Sequence, residues 1–113
     1  MQVELIRQPQ QLTARLNGEL DHHAAGEIRE QIDEAVTRQP CHHLILDFSG
    51  LNFMDSSGIG LIMGRYRLMC SLGGTLRLCG VSPRLETILR MAGMEKLPLW
   101  DEQERNETYE TNQ

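Results

Sequence analysis

The sequence predicts an α/β domain with a mixed sheet, and three observations predict it. Short segments that alternate apolar and polar residues recur along the chain. Between them lie stretches with apolar residues three and four apart, the spacing of one helix face. Residues suited to starting and stopping helices separate the two kinds of segment. Together they give the order β-β-α-β-α-β-α, whose strand–helix–strand crossovers demand partly parallel pairing. The expectation is one domain over the whole chain, with its core within residues 3–100. Its sheet should have roughly four to five strands, packed with about four helices.

Taken in order, Val3 to Arg7 and Leu12 to Leu16 are alternating segments separated by Gln8-Pro9-Gln10. Leu12, Ala14 and Leu16 share a face and Thr13 and Arg15 take the other, so this second strand has one wet side. Asn17-Gly18 should end it, and the two strands should pair as an antiparallel hairpin. From Ala24 to Arg38 the apolar positions Ile28, Ile32, Ala35 and Val36 form one stripe, with Glu27, Arg29, Glu30, Asp33 and Glu34 outside. Asp21 stands where a short carboxylate caps free N–H groups, and Gln39-Pro40 stops the helix. In His43 to Phe48 the run Leu44-Ile45-Leu46 reads as a strand covered on both faces.

Ser49 to Asp55 reads as a loop. A helix should follow from Ser56 to Leu72, with Ile59, Ile62, Met63, Tyr66, Met69 and Cys70 inward, ended by Gly73-Gly74 as a left-handed cap. Thr75 to Cys79 alternates as a strand. Ser82-Pro83 opens a third helix, with serine as cap and proline at the first position. Leu85, Ile88, Leu89 and Ala92 line its inner side, and Gly93 closes it. Leu97 to Trp100 is expected as a short edge strand, and the polar residues 101–113 as a tail or short helix.

Composition excludes several functions. The net charge is −5, Lys96 is the only lysine, and the arginines are scattered without a basic stripe, which argues against nucleic acid. No apolar run is long enough to span a bilayer, and Glu4 and Arg7 interrupt the N-terminus where a signal peptide would need one. Three cysteines, Cys41, Cys70 and Cys79, fit free, buried thiols in a reducing cytosol better than a disulfide framework. A cytoplasmic protein without a membrane partner is therefore expected, with a monomer as the default oligomeric state.

Four features offer chemistry. In His22-His23 and Cys41-His42-His43, adjacent residues on a strand point to opposite faces, so neither pair grips one metal, and no metal site is expected. The nucleophile elbow needs glycine two residues before and two after its serine, and neither Ser56 nor Ser57 has both. Gly58, Gly60 and Gly64 lack the lysine and hydroxyl of a phosphate-binding loop, because Arg65-Tyr66 follows; no cofactor is expected. The fourth feature is Asp55-Ser56-Ser57-Gly58. A serine at a helix start is commonly a plain cap. The same place also tolerates a phosphoryl group of about −1.5 to −2 charges, beside glycines that let another active site approach. The residues alone leave both readings open.

Gly18-Glu19-Leu20-Asp21-His22-His23, Phe53-Met54-Asp55-Ser56-Ser57-Gly58-Ile59-Gly60 and Gly64-Arg65-Tyr66 closely resemble the anti-sigma factor antagonists, which carry a STAS domain. The resemblance covers about residues 3 to 100, and His22-His23 favours the sporulation branch over the general-stress branch. It implies a binding protein rather than an enzyme. In the cycle it implies, the unphosphorylated form binds an anti-sigma factor that is also a serine kinase carrying ADP or ATP, and so frees a sporulation sigma factor. That kinase phosphorylates the first serine of the motif, here Ser56, and a PP2C-type phosphatase reverses it. Asp21, Ser57, Gly58 and Ile59 would lie on the kinase-facing surface. The alternatives are a general-stress antagonist, a STAS subunit serving lipid transport and, most remotely, a serine or nucleotide hydrolase. Ile59 stands where the family often has leucine.

Overall fold

A computed structural model describes residues 2–99 of the chain. Trp100 of the expected edge strand, and the expected tail or helix at 101–113, lie outside the described residues. The elements run β1 (Val3–Gln8), β2 (Gln11–Leu20), α1 (His22–Arg38), β3 (His43–Met54), α2 (Ser57–Ser71), β4 (Thr75–Cys79) and α3 (Pro83–Met91), then a 3-10 turn at Met94–Lys96. Strand order in the sheet is β1-β2-β3-β4. The expected hairpin is present, β1 lying antiparallel to β2, while β2, β3 and β4 are parallel.

Alternation divides the sheet into two faces. Leu12, Ala14 and Leu16 of β2, Leu44 and Leu46 of β3, and Leu76 and Leu78 of β4 are buried under α1 and α2. From α1 come Ala24, Ile28, Ile32 and Val36, and from α2 Leu61, Ile62 and Met69. Each leucine removed from water in this layer contributes about 1.5–3 kcal/mol. The opposite face carries cross-strand rows: Glu4, Arg15, Asp47 and Cys79 in one, Ile6, Thr13, Ile45 and Arg77 in the next. Arg15 ties its row together, 3.3 Å from Asp47 and 3.7 Å from Glu4. Ile45, expected to be covered, is only half-buried among these polar neighbours.

The caps expected at Asp21 and Ser82 and the glycine stops after α2 and α3 hold. Asp21 Oδ1 accepts the Ala24 N–H at 2.8 Å, and Ser82 Oγ accepts that of Leu85 at 3.2 Å. Gly73 and Gly93 take left-handed conformations after α2 and α3. Arg7 reaches from β1 to donate to the carbonyls of Ala35 and Gln39, satisfying the C-terminal end of α1 with a cation.

Four expectations are corrected. First, β2 does not stop at Asn17-Gly18, and Ser49 to Asp55 is not a loop. Both strands continue to Leu20 and Met54 and stay paired through register shifts at Arg15/Asn17 and Gly18/Glu19. Gly18 has φ of 80°, so it serves an irregularity inside the strand rather than a chain reversal. Second, Arg65 is buried on the inner stripe of α2, beside a half-buried Tyr66 that packs against the core as expected and in contrast to Cys70, which does not; its Nε lies 2.8 Å from Asp33 Oδ1 on α1. The N–H is poorly aimed at that oxygen, so the contact is an ion pair more than an aligned hydrogen bond. Third, Cys70 is exposed and Cys79 half-buried; only Cys41 is a buried thiol. On α3, Ala92 is exposed and Ile88 half-buried. Fourth, residues 97–99 do not form a strand. The Leu99 carbonyl accepts the Leu78 N–H at 2.6 Å, which covers the outer edge of β4 at one point.

Candidate functional site

Because β2, β3 and β4 are parallel, their carboxyl ends emerge at one end of the sheet, where α1, α2 and α3 begin. That end of an open α/β sheet is the usual place for a functional site. The long β2–β3 pairing sets Leu20 opposite Met54, and the Asp55 N–H donates to the Leu20 carbonyl at 3.2 Å. Asp21 and the Asp55-Ser56 corner are therefore held side by side.

At the corner itself, Ser56 occupies the position before the first residue of α2, but with helical φ and ψ of −63° and −17° and no capping bond from its side chain. Asp55 performs the capping, its Oδ1 accepting the Ser57 N–H at 2.8 Å. The next two N–H groups are engaged as well: Gly58 donates to the Asp55 carbonyl at 3.0 Å and Ile59 to that of Ser56 at 3.1 Å. The cap expected of serine is thus carried by its neighbour. Ser56 is exposed, and its hydroxyl has no hydrogen-bond partner among the described residues.

The predicted surface residues divide. Asp21 and Ser56 are exposed, and Ser57 and Ile59 half-exposed. Gly58 is buried: a Cβ there would overlap Met54 and approach Leu20 Cδ2 at 3.1 Å. Its part is to let α2 settle onto the strand ends, which fixes where Ser56 points. Gly60, by contrast, is exposed, and an added Cβ would meet nothing within 4 Å. The histidines do not gather: His23 pairs with Glu27 on α1, and His43 bonds to Thr75 on the polar face. Among the described residues no three His, Cys, Asp or Glu side chains form a metal-binding group. None of their helices is long and apolar enough to cross a membrane.

Two residues at this end were given no role from sequence, although Phe53 lies in a stretch that carries the resemblance. Phe53, next to Met54 on β3, leaves 48% of its surface exposed. Arg84, in the first turn of α3, is exposed and unpaired among the described residues. The amphipathic pattern of α3, which puts Arg84 outside, hinted at that residue, and the motif contained Phe53 without marking it as exposed.

The sequence matches the STAS domain over residues 2–111. The chain belongs to the STAS domain family, among its anti-sigma factor antagonists. It is 43% identical to the anti-sigma F factor antagonist of Paenibacillus polymyxa over 102 residues, 89% of this chain and 87% of that protein. Its fold is similar to the anti-sigma factor antagonist SpoIIAA in its unphosphorylated form, at a TM-score of 0.75 and 32% identity over 96% of each chain. It is also similar to the Bacillus cell fate determinant SpoIIAA in the phosphorylated form, at 0.71 and 32%, over 95% of this chain and 98% of that one.

Proposed function

We propose that this chain is an anti-sigma factor antagonist of the sporulation type, switched by phosphorylation of Ser56. The observation that carries the reading is the exposed, unbonded hydroxyl of Ser56, placed at a hydrogen-bonded strand–helix corner within a sequence 43% identical to an anti-sigma F factor antagonist. In this reading the unphosphorylated form binds an anti-sigma factor that is also a serine kinase holding ADP or ATP. That binding releases sigma F. The kinase transfers phosphate to Ser56, binding is lost, and a PP2C-type phosphatase restores it. Asp21, Ser57, Ile59 and the open edge at Gly60 form the docking surface, and Gly58 supports it from beneath.

The geometry favours a switch that acts across the interface and not through refolding. The N–H groups of Ser57, Gly58 and Ile59 are already occupied, so a phosphate on Ser56 gains none of these three donors unless Asp55 yields. A dianion beside the Asp55 carboxylate would remain at the surface and face the partner. Pressed against a desolvated surface, it costs free energy through unpaired charge and repulsion, and about 2.7 kcal/mol already weakens binding a hundredfold.

The test is titration of the anti-sigma factor from the same organism, loaded with ADP, with three forms of the chain. Ser56→Ala should bind like the unmodified protein and stay bound when ATP is added. Ser56→Asp should bind on the order of 100-fold more weakly. Equal binding by both variants would overturn the switch.

A further inference from the structure

A groove at the same end of the sheet has no part in the chemistry of Ser56. It holds about 80 Å³, with Leu51, Phe53 and Met54 from the end of β3 on one side and Arg84, Leu85 and Ile88 from α3 on the other. Two features mark it as more than a packing gap. Phe53 stands two residues before Asp55 with 48% of its surface exposed, an aromatic side chain at the groove of the kind that anchors interfaces. Arg84 stands uncommitted on the rim, whereas Arg90 of the same helix pairs with Glu86 and Glu95.

Charge at this end is patterned. Glu19 lies opposite Phe53 on β2, and Asp21 and Asp55 follow at the ends of β2 and β3, so the corner around Ser56 is acidic. Arg84 supplies the opposite sign on the α3 side. A surface with both signs in fixed places selects one orientation of its partner, because a reversed partner would meet like charges.

We propose that the groove is a second contact region for the protein that docks at Ser56, receiving one aliphatic side chain against Phe53 and a carboxylate at Arg84. This rests on the partner reading of Ser56. Its continuity with that corner, through Phe53 and Met54, means that one partner can cover both without a hinge.

The experiment measures binding of the full chain, as Phe53→Ala and as Arg84→Glu, to the ADP-loaded anti-sigma factor by calorimetric titration. Circular dichroism checks the fold, and a glutamate in the first turn of α3 is favoured there by the helix dipole. Each variant should bind about tenfold more weakly or worse, the usual cost of losing an interface anchor. Added salt should weaken the parent protein more than Arg84→Glu. Folded variants that bind as tightly as the parent would overturn the groove and leave the Ser56 reading standing. No binding by the parent protein would overturn both. A lowered thermal midpoint with unchanged affinity would assign the groove to internal packing instead, which also overturns the proposal.

Discussion

Gly58 shows at the scale of one residue how the site is built. Its missing side chain lets Met54 and Leu20 run beneath the first turn of α2, and that contact fixes the corner bearing Ser56. Gly58→Ala is expected to cost about 1–3 kcal/mol through overpacking. In thermal unfolding this is a drop of roughly 4 °C or more per kcal/mol. Most of that penalty should vanish in a Met54→Ala background, since the overlap is with Met54; an undiminished penalty there would refute the contact. The residue scale also separates capping from switching. Asp55 holds the helix start, so the Ser56 hydroxyl stays free to receive chemistry.

Between elements, two polar contacts do specific work. Arg65 and Asp33 join α2 to α1, with the arginine buried and Arg29 nearby adding repulsion. Burial lowers the pKa of Arg65, and the Asp33 carboxylate opposes that. Arg65→Ala removes both the ion pair and the packing of the side-chain stem; because water reaches the Asp33 carboxylate left behind, which is 36% exposed, the expected loss is about 1–3 kcal/mol, below that of a fully buried pair. Arg65→Met keeps most of the volume and should lose less in urea unfolding; equal losses would show that packing of the stem contributes nothing. Asp47 ties β3 to β2. Burial by itself would raise its carboxyl, but bonds from the Ser49 N–H and hydroxyl and the Arg15 guanidinium prevail and hold it below the usual range. A carboxyl lowered by folding stabilises above its unfolded value, about 3.9, and loses that contribution as pH falls through its folded value. The stability advantage of the parent over Asp47→Asn should therefore be full at pH 6 and shrink below about pH 4. A difference that stays constant with pH would contradict the assignment.

For the whole molecule, what the sequence reveals depends on the distance over which each feature is determined. Caps act within a turn, so Asp21, Ser82, Gly73 and Gly93 are legible from neighbouring residues alone. The order of elements along the chain follows from alternation and helical spacing, and the partly parallel pairing from the strand–helix–strand crossovers. The extension of β2 and β3 is not legible, because Asn17-Gly18 and Ser49-Gly50 look like turn residues until a partner strand is found for them. Arg65 misleads for the same reason: the carboxylate that allows its burial is supplied by another helix. At the site, the motif pointed to Ser56, while its open hydroxyl and the burial of Gly58 became visible only with the corner assembled.

The central claim is that chemistry performed by another protein is received at one hydroxyl. It is tested most directly by intact-mass and fragment mass spectrometry of the full chain after incubation with ATP and the anti-sigma factor kinase. The account predicts a single added phosphate, located on Ser56 and absent from Ser56→Ala. A phosphate found on Ser57 instead, or no modification under conditions where the kinase is bound, would contradict it.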